Sequence, residues 1–306
     1  MPVDLLCLGE AMVEFNQREA GGPYVQGFGG DTSNAAICAA RQGTASGYLS
    51  AVGDDAFGAM LLGLWESEGV SVEHVGRYAG TPTGIYFVTH GPAGHEFTYR
   101  RAGSAASLMR PADLPVEALR TVKILHLSAI SQAISSAACD TAFEAVRLVR
   151  EAGGLVSYDT NLRLSLWPLE RARAVIHATA GLSDILLPGL DDARQLTGLD
   201  EPREIADFYL AMGVKVVALT LGAEGALIAT PDRAEILLPH KVDLVDATGA
   251  GDAFDGAFLA EFLETGDPFR AGRHANAAAA LSVRGLGAVA PQPTRAQVEA
   301  FLRTSA

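Results

Sequence analysis

Short, unbroken apolar runs alternate along this chain with longer segments in which apolar residues return every three or four positions. The short runs are residues 3–9, 45–53, 123–130, 155–161, 184–189 and 214–222. They are continuous rather than alternating, which predicts strands covered on both faces. Helical segments follow at 32–43, 55–69, 136–154 and 191–198, with Gly43 and Gly69 as C-terminal stops. This order predicts an α/β fold whose central sheet is mainly parallel and covered by helices. The rhythm breaks at 11–30 and at 82–101. The first reads as short strands and turns. The second reads as a hairpin, 84–90 and 95–101, around the turn Gly91-Pro92-Ala93-Gly94. Together they predict a small β-rich lid, leaving 1–10, 31–81 and 102–306 as the main domain. Two separate edge hairpins are the alternative. The last third predicts three alanine-rich helices in succession, punctuated by Gly266, Gly285 and Thr294.

Composition narrows the function. The chain has 306 residues, 49% of them apolar and 19% charged, enough for a large core. A formal charge of −13 disfavours nucleic acid and anionic membrane as partners. A small anion remains acceptable, because backbone N–H groups and arginines can hold it locally. Lysine occurs only at Lys123, Lys215 and Lys241, so arginine must carry most cationic work. Cys7, Cys38 and Cys139 stand apart in apolar surroundings and are expected to be reduced core residues. No apolar run reaches the length of a membrane span, and residues 1–15 lack a basic segment ahead of a long apolar one. A cytoplasmic protein is expected.

The stretch Val245–Leu263, VDATGAGDAFDGAFLAEFL, carries the strongest chemical signal. Small residues lead into a helix whose first turn contains Asp252. A helix N-terminus offers unpaired N–H groups and a partial positive charge, and small residues let an anion approach them. Asp252 is out of place in a site that only binds phosphate, but suits one where an acid takes a proton from an attacking hydroxyl. Read alone, the same residues also fit a glycine turn and a helix cap.

Asp246-Ala-Thr-Gly-Ala-Gly-Asp-Ala-Phe-Asp-Gly-Ala resembles the C-terminal signature of the ribokinase, or PfkB, family of carbohydrate kinases, with Ala247 departing from the usual pattern. Gly29-Gly30-Asp31-Thr32-Ser33-Asn34-Ala35-Ala36 is similar to the family's N-terminal signature. The resemblance covers essentially the whole chain. It implies a ribokinase-like three-layer αβα sandwich with a β-rich lid, ATP and Mg²⁺ as cofactors, and Asp252 as general base on a primary sugar hydroxyl. Gly249, Ala250 and Gly251 would give N–H groups to the transferred phosphoryl. Thr220, Gly222, Gly225, Gly251 and Asn276 would face the nucleotide. A monovalent cation near Asp246 and Thr248 also belongs to this picture. Gly189 and Asp192 match poorly where the family often has Asn-x-x-Glu near Mg²⁺, and the direct metal ligands are left open.

The acceptor is read from Glu96–Ser107, EFTYRRAGSAAS, which resembles the Tyr-x-Arg-x-x-Ser-Ala pattern of 2-keto-3-deoxygluconate kinases. Tyr99 and Arg101, two apart in a strand, share one face. Tyr86 matches an aromatic of the same subgroup, and Asp159-x-Asn161-x-Arg163 followed by Leu-Trp-Pro matches another of its stretches. Arg163 falls just past a strand's carboxyl end, where open α/β sheets bind ligands. Arg101 and Arg163 would pair with a sugar carboxylate, or both would serve phosphate, as in a fructokinase. Gly30, Asp31 and Asn34 would contact sugar hydroxyls, and Asp31 also suits a helix N-cap.

No Gly-Lys pair exists for a Walker A loop, the glycines at 27–30 do not fit a dinucleotide fingerprint, and His95-Glu96 lacks the second histidine of a zinc protease. His126 reads as a core histidine. The expected function is an ATP-dependent kinase of 2-keto-3-deoxygluconate. The alternatives are a fructokinase or another ketose or aldonate kinase, and a sugar- or nucleotide-binding regulator without catalysis. Strand edges on the lid favour a homodimer.

Overall fold

The computed structural model describes residues 3–17, 19–91 and 94–304. The first half of the chain forms β1 (Leu5–Leu8), β2 (Met12–Gln17), β3 (Tyr24–Gly29), α1 (Asp31–Arg41), β4 (Ser46–Gly53), α2 (Ala56–Ser67), β5 (Ser71–Tyr78), β6 (Ile85–Gly91) and β7 (Gly94–Arg100). Next come α3 (Val116–Thr121), β8 (Ile124–Ser128), α4 (Ala129–Ala133), α5 (Ser136–Glu151) and β9 (Leu155–Asp159). After them follow α6 (Leu169–Ala180), β10 (Ile185–Leu187), α7 (Leu190–Thr197), α8 (Pro202–Ala211) and β11 (Val216–Thr220). The chain ends with β12 (Ala226–Ala229), β13 (Ala234–Leu237), α9 (Ala250–Thr265), α10 (Pro268–Ser282) and α11 (Arg295–Thr304).

The large sheet has nine strands in the order β13-β12-β11-β10-β9-β8-β1-β4-β5. Pairing is parallel from β5 to β11, and the two pairings beyond it, β11 with β12 and β12 with β13, are antiparallel, so β12 alone runs against the rest. The unbroken apolar runs explain this sheet. In β1, Leu5 and Cys7 join one core with α1, α2, α9 and α10, while Leu6 and Leu8 join the other with α5, α6 and α8. Both faces of a strand are thus covered, which parallel pairing requires. The ribokinase-like αβα sandwich expected from the sequence is the fold observed. Cys7, Cys38 and Cys139 are buried free thiols, and buried His126 is bonded to Ser157 Oγ at 3.1 Å. Among the described residues no helix is long and apolar enough to cross a membrane.

Strands β2, β3, β6 and β7 form a second, four-stranded sheet in the order β3-β2-β6-β7. Its two hairpins are joined by parallel pairing of β2 with β6, so they are one sheet and not two separate edges. The expected turn at 91–94 is paired up to Gly91 and Gly94, and its central Pro92 and Ala93 lie outside the described residues. One side packs on the main body through Phe15 and Phe57, whose rings meet edge to face at 5.9 Å.

The signature helices α1 and α9 lie against each other at Gly256. A Cβ placed there would stand 2.3 Å from Ala35 O and 2.6 Å from Cys38 Cβ. Gly256→Ala should therefore push the helices apart and cost about 1–3 kcal/mol. Urea unfolding would check this; an unchanged midpoint contradicts it.

Candidate active site

The carboxyl ends of β1, β8, β9, β10 and β11 open toward the N-termini of α1 and α9, the crevice where open α/β sheets bind ligands. Gly249 is the N-cap of α9 and takes a left-handed φ of 77°, and a Cβ there would also strike Ala288 at 2.8 Å. Ala250, Gly251 and Asp252 form the first turn. Ala250 N–H donates to Ala247 O at 3.2 Å, closing the preceding turn, so that N–H is not open to a ligand as the sequence led us to expect. The N–H groups of Gly249, Gly251 and Asp252 make no hydrogen bond among the described residues. A Cβ at Gly251 would meet nothing within 4 Å, so this backbone faces open space. Small residues and unpaired donors at a helix N-terminus make an anion site.

Asp252 Oδ2 accepts from Asn34 Nδ2 at 2.8 Å. The two motifs, far apart in sequence, therefore share one hydrogen bond. Burial, and then the charge of Asp31, push the Asp252 carboxyl up to about 7, against the pull of Asn34 and Arg163. Gly30, at φ 136°, occupies the N-cap of α1, because a Cβ there would lie 2.7 Å from Glu10 O. Asp31 is therefore the first helical residue and not the N-cap. Its Oδ1 accepts from Thr32 N–H at 2.8 Å and its Oδ2 from Asn161 Nδ2 at 2.9 Å. Asp159 Oδ1 in turn accepts from Asn161 N–H at 3.0 Å.

Arg163 projects from the segment after β9, half-exposed, with Nη1 on Leu162 O at 2.8 Å and 3.9 Å from Asp192 Oδ2. Asp192 also receives Leu162 N–H at 2.9 Å, and burial raises its carboxyl. Asp255, one helical turn beyond Asp252, is 4% exposed. Burial, then Asp159, Asp252 and Asp31, hold its carboxyl well above the usual range. Asp159 is raised likewise, by burial first and then by Asp31 and Asp252, against the Asn161 N–H bond. Among the described residues no three His, Cys, Asp or Glu side chains converge to hold a metal ion unaided.

The second sheet turns its aromatics to this crevice. Tyr86 and Tyr99 are cross-strand partners stacked at 5.6 Å, and Arg101 lies 5.8 Å over the Tyr99 ring. Tyr86 Oη donates to Glu14 Oε2 at 2.6 Å and covers Gly29. Arg101 is brought to the site but is not a lone cation. Its Nε donates to Glu10 Oε2 at 2.7 Å, and the Glu10 side chain is 1% exposed.

The nucleotide candidates sit farther along the sheet. Thr220 ends β11 and its Oγ1 makes a long 3.4 Å bond to Pro188 O. Gly222 turns at φ 60° with nothing within 4 Å of a Cβ. At Gly225 a Cβ would fall 2.0 Å from Leu237 O, so glycine is required there by the chain's own packing and not by an approaching ligand. Asn276 on α10 donates to Leu238 O at 2.8 Å. Asp246 accepts from Thr248 N–H, Thr248 Oγ1 and Gly287 N–H, and these bonds outweigh burial and hold its carboxyl low. Sequence reasoning missed Glu10, Glu14, Asp159 and Asp255 as members of this site. Glu14 was accessible from the alternation in β2, which puts it on the face of Met12 and Asn16, opposite Tyr86.

The sequence model of the pfkB family carbohydrate kinases matches residues 3–295. The 2-dehydro-3-deoxygluconokinase of Bacillus subtilis is 35% identical over 99% of this chain and 96% of its own. A probable fructokinase-4 of Arabidopsis thaliana is 33% identical over 98% and 96%. Among solved structures, a putative ribokinase II from E. coli in complex with ATP and Mg²⁺ superposes with a TM-score of 0.91 at 26% identity, covering 99% of both chains. The chain belongs to the pfkB family of carbohydrate kinases. It is a sugar kinase, an ATP-dependent phosphotransferase.

The raised Asp252 carboxyl has a consequence for stability. Between the ordinary value of 3.8 and about 7 the folded state binds the proton more tightly than the unfolded chain, so stability falls as pH rises through this window. Asp252→Asn removes that cost and keeps an acceptor for Asn34. It should stabilise the protein by about 2 kcal/mol at pH 8 and by almost nothing near pH 4. Denaturant titrations at the two pH values check this, and equal gains at both contradict it.

Proposed function

We propose that this kinase phosphorylates the terminal primary hydroxyl of 2-keto-3-deoxygluconate. The observation that carries the mechanism is Asp252, held by Asn34 at the first turn of α9 beside unpaired N–H groups. The acceptor oxygen attacks the γ-phosphorus of ATP, forming the new O–P bond as the bond to ADP breaks, and Asp252 takes the hydroxyl proton. A base near pKa 7 is matched to that transfer at neutral pH. Gly249 and Gly251 N–H groups stabilise charge on the moving phosphoryl, with Arg163 beside them. Mg²⁺ bound with the nucleotide would neutralise charge on its phosphates. Asp192 would face that ion, with Thr220 nearby, bridged to Gly189 ahead of α7. Gly222 and Asn276 border the nucleotide, and Asp246 with Thr248 would adjoin a monovalent cation.

Arg163 and Arg101 support an acid acceptor, because they are the cations at the sugar end. Tyr86, Tyr99, Gly30, Asp31, Asn34 and Glu14 complete that end, under the second sheet acting as a lid. A fructokinase is the second reading, favoured by the pairing of Arg101 with Glu10, which lowers its net charge toward a carboxylate. ADP release with ATP and Mg²⁺ should be fastest with 2-keto-3-deoxygluconate in a panel with fructose, ribose and adenosine. Asp252→Asn should lower turnover by about 10³-fold in folded protein. Preference for fructose overturns the acceptor, and near-normal turnover of the variant overturns the base.

The lid's outer strands expose Tyr24, Val25, Phe97 and Tyr99. Apolar strand edges of this kind pair with one another, and we infer a homodimer through the lid. Light scattering in dilute cytoplasm-like buffer should give twice the chain mass; a monomer contradicts it.

A further inference from the structure

Glu10 stands at the junction of the two sheets, between the end of β1 and the start of β2. It is 2% exposed, and no sequence motif identified it. Its Oε2 accepts from Arg101 Nε at 2.7 Å, and its Oε1 accepts from Ser104 Oγ at 2.5 Å. Arg101 and Ser104 are the two ends of the turn by which the chain leaves β7, closed by Ser104 N–H on Arg101 O at 3.0 Å. One carboxylate therefore clamps both ends of that turn. The same oxygen, Oε1, fills the place where a Cβ on Gly84 would come, at 2.8 Å, just ahead of β6. Glu10 O lies 2.7 Å from where a Cβ on Gly30 would be, just after β3. All four passages of the chain between the sheets meet this residue.

A carboxylate removed from water needs charge-assisted partners, and Glu10 has two directed bonds and a guanidinium. Arg101 gives it Nε–H, while its Nη2, 2.5 Å from Oε2, makes no well-aligned hydrogen bond and is shut off from solvent. The guanidinium is thus fixed along its Nε–Nη2 edge, and Nη1 makes no hydrogen bond among the described residues. The two N–H groups of an Nη1 held in this way suit an oxygen-rich ligand.

We propose that Glu10 is a positioning residue for the phosphoryl acceptor, acting through Arg101 and the 101–104 turn. This rests on the reading of Arg101 as an acceptor contact. Glu10→Gln keeps the shape and removes the charge that aligns the guanidinium. With 2-keto-3-deoxygluconate as acceptor, and with fructose if that is the sugar turned over, kcat/KM should fall by about a hundredfold, as a small misplacement of a binding group can cause. The loss should lie in KM for the acceptor, with KM for ATP unchanged. Arg101→Met should give a loss of similar size, and Glu10→Gln added to Arg101→Met should cost nothing further. Additive losses, or equal rises in both KM values, overturn the proposal. An acceptor KM unmoved by Arg101→Met alone identifies the failure as that of the Arg101 reading. Should Glu10→Gln not fold, Ser104→Ala removes one bond to Glu10 without stranding a charge, and should raise the acceptor KM about tenfold. An unchanged acceptor KM in Ser104→Ala also overturns it.

Discussion

The hydrogen bond from Asn34 to Asp252, which joins the two signature stretches at the crevice, depends on how closely two helices approach. Each helix brings its N-terminus to the crevice, α1 through Gly30 and α9 through Gly249. The approach is set by Gly256, where even a methyl group would collide with Ala35 O. Ser33 is held from behind by Trp65 Nε1, and Asn34 O receives Gln292 Nε2 from the loop ahead of α11. Asn34 is thus fixed on both its backbone and its side chain. The orientation of Asp252 follows, and with it part of the balance that puts its carboxyl near 7.

That balance is unusual for a protein of net charge −13 that must handle phosphate. The acids Asp31, Asp159, Asp192, Asp252 and Asp255 cluster where strands end, and burial with mutual repulsion raises several of them. Positive charge comes mainly from backbone N–H groups at α9 and from one half-exposed arginine, Arg163. N–H dipoles attract an anion without pairing with a carboxylate as a lysine would, so they leave the Asp252 carboxyl raised. A lysine-based phosphate site would have put a strong counter-charge beside Asp252 and lowered its carboxyl.

The second sheet is attached by a different principle. Its back packs by aromatic contact, but its four chain passages gather at one buried residue, Glu10, through its carboxylate and its backbone carbonyl. A small sheet joined by flexible loops alone would let Tyr86, Tyr99 and Arg101 wander by more than the tolerance of a reacting centre. Glu10 and Arg101 pair at the base of the sheet, whose Tyr86 and Tyr99 rings stack on each other.

Much of this was legible in the amino-acid order. Continuous apolar runs determined the parallel sheet, because a strand with Leu5 and Cys7 on one face and Leu6 and Leu8 on the other must be covered on both. The Thr-Gly-Ala-Gly-Asp stretch determined that a helix N-terminus and a carboxylate would meet, since both follow from local geometry. What tertiary structure decided were the partners. Period and propensity say nothing about which distant residue faces a given atom. Only packing shows that Asn34 reaches Asp252, that Ala250 N–H is taken by Ala247 O, that Gly225 yields to Leu237 O, and that Arg101 is bound to Glu10. Side chains take their pKa and direction from neighbours the chain brings from far away, and burial, which makes those neighbours matter, exists only once the layers have closed.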